Sequence, residues 1–213
     1  MVLNNIDKIV HLLVFKEGIF YFLQVIARKK DNPGQSRDLQ LFSKCVCRRE
    51  SLELILDEVR LLCDSFNARC YISLLPRSIE EFVKRENLEL SRRIVNNSFT
   101  HKVFRVQDSV ALDDMCVRWK GIIPESRCMI DVDDPSICAD LEALLEGKVK
   151  IETILPSFSG VHYVCSNFYP ANLSKNVKRV GNSEDWTLDI QGKTVTICRD
   201  VNVILYAKRE DKL

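Results

Sequence analysis

The chain has 213 residues, 46% of them apolar, which suits one domain, or a domain with a small extension, and is ample for a substantial core. Lys and Arg total 31 against 30 Asp and Glu, so the net charge of +1 gives no global attraction to nucleic acid or anionic lipid, and any basic surface must be local. Met1 to Lys8 lacks the basic start and long apolar region of a signal peptide, and the apolar runs are too short and too often interrupted by charge to span a bilayer. Nine cysteines, an odd number placed mostly inside apolar runs, read as reduced core residues of a cytoplasmic protein rather than as a disulfide framework. Cys45-Val46-Cys47 offers two thiols on one strand face without a CxxC pair or a nearby histidine, which argues against structural zinc.

In chain order, Ile6, Ile9, Val10 and Leu13 repeat at helical spacing and predict a helix over residues 5–14. Ile19 to Ala27 fits either period; its aromatic and β-branched content tips it toward a strand. Arg28 to Arg37 is a basic, turn-rich loop, readable as a solvated connection or as a phosphate contact. Leu39 to Cys47 reads as a strand, and Leu52, Ile55, Leu56, Val59, Leu62, Cys63 and Phe66 mark one face of a helix that Asn67 can stop. A strand over 68–74 follows and delivers Pro76 and Arg77 into a loop. The next helix opens with Ser78 and Glu81 at capping-box spacing and runs toward Val95.

Thr100 to Pro124 reads as mixed helix and loop. Beyond it, Cys128-Met129-Ile130-Asp131-Val132-Asp133-Asp134 is an apolar strand ending in acid. Alternation places Asp131 and Asp133 on one face while Ile130 and Val132 point into the opposite layer. Two carboxylates on one patch repel unless a cation, an arginine or a shared proton relieves them, and hard oxygen donors suit Mg²⁺ or Mn²⁺. Asp134 is accounted for separately, as the N-cap of a helix with Pro135 at its first position and Ile137, Leu141, Leu144 and Leu145 as its buried stripe. Strands follow over 148–155 and 161–166, and a β-rich end takes in 186–189, 193–198 and 201–207. Between the first two, Ser157, Ser159 and Gly160 make a loop whose backbone can approach a phosphate. His162 lies on the strand face opposite Val161, Tyr163 and Cys165, able to donate to a phosphate oxygen.

Asp131-Val132-Asp133 followed by Gly160-Val161-His162 resembles the archaeo-eukaryotic primase superfamily, the primase-polymerase type of nucleotidyltransferase. Asn67 to Ser78 and Val203 to Tyr206 are similar to small primase-like proteins of gut bacteria and their phages. The resemblance implies an α+β fold, an RRM-like mixed sheet flanked by helices and joined to an N-terminal α/β unit, within a single domain over 1–213 (sub-region 1–48, core 49–213). It implies two divalent ions, Mg²⁺ or Mn²⁺, held by Asp131, Asp133 and a third acid. Asp189, behind Leu188, has the apolar-acid form; Asp200 follows Arg199 instead. Ser159, Gly160 and His162 would hold the phosphates of a nucleoside triphosphate, so that Asp131, Asp133, His162 and Asp189 form the catalytic set. Arg77 and Lys120 could add positive charge, although a solvated surface position explains both more simply. The implied partners are a DNA or RNA template and a helicase or other replication protein, with no membrane. Two alternatives stand beside polymerisation: an inactive nucleic-acid-binding accessory of the same fold, and a metal-dependent phosphodiesterase.

Overall fold

The computed structural model describes residues 1–96, 106–111, 127–173, 177–180 and 185–208. In chain order the elements are β1 (Val2–Asn4), α1 (Ile6–Val10), β2 (Ile19–Ala27), β3 (Leu39–Val46), α2 (Arg49–Ser65), β4 (Arg69–Ser73), β5 (Arg77–Ser78), α3 (Ile79–Val95) and α4 (Val106–Ala111). They continue with β6 (Cys128–Val132), α5 (Cys138–Leu145), β7 (Lys150–Pro156), β8 (Val161–Ser166), β9 (Val177–Arg179), β10 (Trp186–Ile190), β11 (Lys193–Cys198) and β12 (Asn202–Lys208). The class is α+β, with two six-stranded sheets in which every pairing is antiparallel. No helix among the described residues is long and apolar enough to cross a membrane.

The first sheet has the order β1-β12-β4-β2-β3, with β5 extending the pairing of β2. It runs past residue 48 to residue 78 and takes an inner strand from near the end of the sequence. β2 is buried on both faces: Tyr21, Leu23 and Val25 join the main core under α2, while Phe20 and Phe22 pack with Cys45, Cys47, Ile79 and Phe82 on the other side. Double burial makes a strand continuously apolar, which is why its period is ambiguous in sequence. Leu52, Val59 and Cys63 seat α2 on the sheet. The helix ends where Asn67 enters the left-handed region at φ 44°, with the Ala68 N–H donating to the Cys63 carbonyl at 3.0 Å. α3 begins as its sequence indicates, the Ser78 hydroxyl accepting from the Glu81 N–H at 3.2 Å.

The second sheet has the order β7-β8-β6-β11-β10-β9. β8 lies between β6 and β7, which are joined through α5, so this part is a split βαβ unit. One face carries Ile130, Val132, Tyr163, Leu188 and Val195 against Ile137, Leu141 and Leu145 of the α5 region. From the opposite face Met129 and Val164 enter the core of the first sheet.

Three features differ from the expectations. α1 stops at Val10 because the chain turns, held where the Tyr21 hydroxyl accepts from the Val14 N–H at 2.9 Å and donates to the Val14 carbonyl at 3.1 Å. The three-residue strands β1 and β9 are too short for a period to show. Arg77 is not solvated: it is fully buried in β5 opposite Phe20, with Asp200 at 3.9 Å. Lys120 and most of Thr100 to Pro124 lie outside the described residues; within that stretch α4 packs Val106 and Val110 against Phe82 and Leu90.

A second buried arginine spans the two sheets. Arg127, 3% exposed at the start of β6, donates from Nε to Glu152 Oε2 of β7 at 2.9 Å and from Nη1 to the Leu74 carbonyl at the end of β4 at 3.0 Å. Arg127→Met leaves the Glu152 carboxylate buried without its cation, and urea unfolding should show a loss of about 3–5 kcal/mol. Arg127→Met with Glu152→Gln should recover part of that loss, because no unpaired charge remains buried.

Candidate functional site

The site grows from strand alternation and register. Ile130 and Val132 anchor β6 to α5, so Met129 and Asp131 face the other way. Antiparallel pairing sets Asp131 directly opposite His162 of β8, and His162 Nε2 stands 3.2 Å from Asp131 Oδ1. The other ring nitrogen, Nδ1, is buried and has no hydrogen-bond partner. Tyr163 points into the opposite layer, its hydroxyl donating to Glu142 of α5 at 2.8 Å, and this pins the orientation of β8. Asp133 lies one residue past the strand end and accepts from the Ser159 hydroxyl at 2.7 Å.

Asp134 has a separate task. Its carboxylate accepts from the Ser136 N–H at 2.9 Å, capping a 3-10 turn over Pro135–Ile137 that leads into α5, and it receives Lys193 Nζ at 2.6 Å. The Lys193 ammonium and the Ser136 donors draw its pKa from 3.8 down to about 2.

The loop between β7 and β8 is closed on itself, the Ser157 N–H donating to the Gly160 carbonyl at 2.9 Å and the Gly160 N–H to the Ser157 hydroxyl at 3.0 Å. Gly160 is packed against β6: a Cβ there would lie 1.9 Å from the Val132 carbonyl oxygen. The close approach this glycine permits is to the acidic strand itself, and it brings Ser159 within reach of Asp133.

Asp131, Asp133, Ser159 and His162 form one wall of a cleft of about 410 Å³. The facing wall belongs to the first sheet and its β2–β3 loop and supplies Arg28, Lys30, Arg69, Tyr71 and Ile204, while Met129 of β6 and Phe158 of the β7–β8 loop add apolar surface from the acidic side. Arg69 is neutralised by Asp31 through two hydrogen bonds of 2.7 Å, and its guanidinium lies 4.6 Å from the centre of the Phe158 ring. Arg28 pairs with Asp38 at 2.8 Å and donates to the Tyr71 hydroxyl at 3.4 Å. Sequence reading found the acidic wall and noticed the basic loop, but missed Arg69, Tyr71 and Phe158. A charged Arg69 inside an otherwise apolar strand, two residues before Tyr71 and hence on its face, was the available signal.

Neither Asp189 nor Asp200 lines this cleft. Asp189, on β10, is separated from β6 by β11, and its carboxylate accepts from the Gly192 N–H at 3.1 Å across a turn in which Gln191 and Gly192 have φ of 52° and 79°. Asp200 sits beside buried Arg77 and accepts from Asn202 Nδ2 at 2.6 Å. On β11 the residue opposite Asp131 is Thr196. Among the described residues no group of three or more His, Cys, Asp or Glu side chains is arranged to hold a metal ion. Two carboxylates at a strand end remain a hard-oxygen donor set, of the kind that binds Mg²⁺ together with substrate phosphates rather than in an all-protein cage. Compared with known proteins, the chain matches no family model, no curated protein and no solved structure.

Gly160→Ala should push the loop off β6 and cost about 1–3 kcal/mol in urea unfolding, whereas Ser159→Ala, at an exposed hydroxyl, should cost under about 0.5 kcal/mol. Asp134 gives a pH-dependent contrast. Because its folded pKa lies below 3.8, its stabilising contribution is complete above that pH and disappears as pH falls toward about 2. The stability gap between wild type and Asp134→Asn, followed by denaturant unfolding from neutral pH downward, should therefore stay constant to about pH 4 and then close.

Proposed function

We propose that this protein is a primase-like, metal-dependent nucleotidyltransferase that uses nucleoside triphosphates on a DNA or RNA template. The observation that carries this reading is the cleft. It sets two carboxylates of one strand, a histidine directly opposite and a serine loop against cations and aromatic surface from a second sheet. Acids for a metal, cations for phosphates and apolar rings for a base are the three needs of a nucleotide site. The split βαβ arrangement of β6, α5, β7 and β8 supports the RRM-like part of the resemblance.

In this reading Asp131 and Asp133 hold Mg²⁺ or Mn²⁺, which when bound supplies charge neutralisation at the α-phosphate and activation of an attacking 3′-hydroxyl. His162 and Ser159 turn from their carboxylate partners toward phosphate oxygens. Arg28 turns from Asp38 toward the outer phosphates, while Tyr71 and Phe158 offer surface to the base. Two carboxylates suit one ion completed by the triphosphate; Asp31, the other carboxylate lining the cleft, is held by Arg69, and no group of three ligating side chains is found among the described residues. The placement of Asp189 and Asp200 outside the cleft favours one rival, an accessory protein that binds nucleic acid without catalysis.

Labelled nucleotides, Mn²⁺ and a primed template separate these readings. Extension is expected, with Asp131→Asn or Asp133→Asn lowering it by about 100-fold or more and Asp189→Asn leaving it within about twofold of wild type. Template shortening instead of extension would identify a phosphodiesterase. Neither reaction, together with no joint binding of Mn²⁺ and triphosphate, would leave the accessory reading.

A further inference from the structure

The basic loop between β2 and β3 is braced by its own polar side chains. Asp38 accepts from the Lys29 N–H at 2.8 Å and pairs with Arg28. Asn32 Nδ2 donates to the Arg28 carbonyl at 2.9 Å, and Gln35 Nε2 donates to the Ala27 carbonyl at 2.8 Å. Asp31 is locked in its buried pair with Arg69, and its carbonyl accepts from Asn67 Nδ2 at 2.7 Å. These bonds fix the backbone and neutralise Arg28, Asp31, Asp38 and Arg69 among themselves. Lys29, Lys30 and Arg37 are left over: all three are exposed, and none has an ion-pair partner among the described residues.

A loop that serves only as a connection gains nothing from holding three like charges together on a rigid frame, since their repulsion is uncompensated and flexibility would relieve it. A polyanion reverses the sign of that cost, and a preorganised loop loses little entropy when it binds one. The patch is also continuous with the cleft, because Lys30 lines it beside Tyr71 and Phe158. Cations along a rim with aromatic surface next to them suit a single strand, whose phosphates and unstacked bases can be met separately. We infer that the β2–β3 hairpin is the seat of a single-stranded nucleic acid, with Lys29, Lys30 and Arg37 on its phosphates and Lys30 leading the strand into the cleft.

This surface rests on the nucleic-acid part of the proposed function but not on catalysis, so it is tested without metal or nucleotide. Binding of a labelled oligothymidylate of about 20 nucleotides is followed by fluorescence anisotropy in EDTA across a salt series. Lys29→Ala/Lys30→Ala/Arg37→Ala is expected to weaken binding at least about tenfold and to flatten the log affinity against log salt slope by about 2. Lys148→Ala/Lys150→Ala/Lys178→Ala removes the same charge away from the cleft and should stay within about twofold of wild type. The side chains replaced in the hairpin make none of the bracing bonds, so an unchanged denaturant midpoint is expected for that variant. Binding by the hairpin variant equal to wild type, an equal loss in both triple variants, or no binding by wild type at low salt would overturn the inference. If the hairpin result holds while extension is absent, only the catalytic reading falls.

Discussion

The position of everything in the cleft depends on one buried guanidinium. Arg127 touches β4 of the first sheet through the Leu74 carbonyl and β7 of the second through Glu152, and β6 starts at the next residue. The acidic wall and the basic wall belong to different sheets, so their separation is set by whatever fixes one sheet against the other. Apolar packing of Met129 and Val164 into the first core supplies area. Area alone tolerates sliding, whereas hydrogen bonds from a planar, rigid fork do not. A buried ion pair adds little net stability compared with a well-packed apolar substitute, so here its contribution is better seen as register.

Within that frame the cleft keeps opposite charges apart. The acids are restrained by hydroxyl and imidazole, Asp133 by Ser159 and Asp131 by His162, and not by the cations that face them. On the other wall Arg69 is spent on Asp31 and on the Phe158 ring, and Arg28 on Asp38 and Tyr71. The ion pairs and hydrogen bonds of each wall are therefore made with its own neighbours, and the Arg69–Phe158 ring contact is what joins the two sides. A charged ligand entering between them need not first break an ion pair across the gap, which keeps the cost of opening the site low.

What could be read from sequence was local. The alternation of β6, the Asp134 cap, the Ser78 cap and the buried face of α2 each follow from residues within a few positions of one another. What could not be read depends on long-range placement. Arg77 looks like a loop cation until β5 sets it opposite Phe20 in the sheet, and Asp189 has an apolar-acid form but lies two strands from Asp131. Arg69 and Tyr71 share a cleft with His162 only because two sheets converge, and no spacing along the chain encodes that arrangement. Gly160 signals a close backbone approach, expected in the sequence to be to a phosphate, and in the structure the backbone it approaches is that of Val132.

The place of β12 ties the two halves of the molecule together. It pairs with β1 on one side and β4 on the other, so the first sheet has no continuous inner row without it. Its Val203 and Leu205 fill the same core that takes Met129, Leu155 and Val164 from the second sheet. Detachment of this one strand would therefore open an apolar slot, remove Ile204 from the cleft and loosen the seat of the acidic wall together. A chain opened in that way exposes both apolar surface and unpaired strand edges, the two features that favour aggregation.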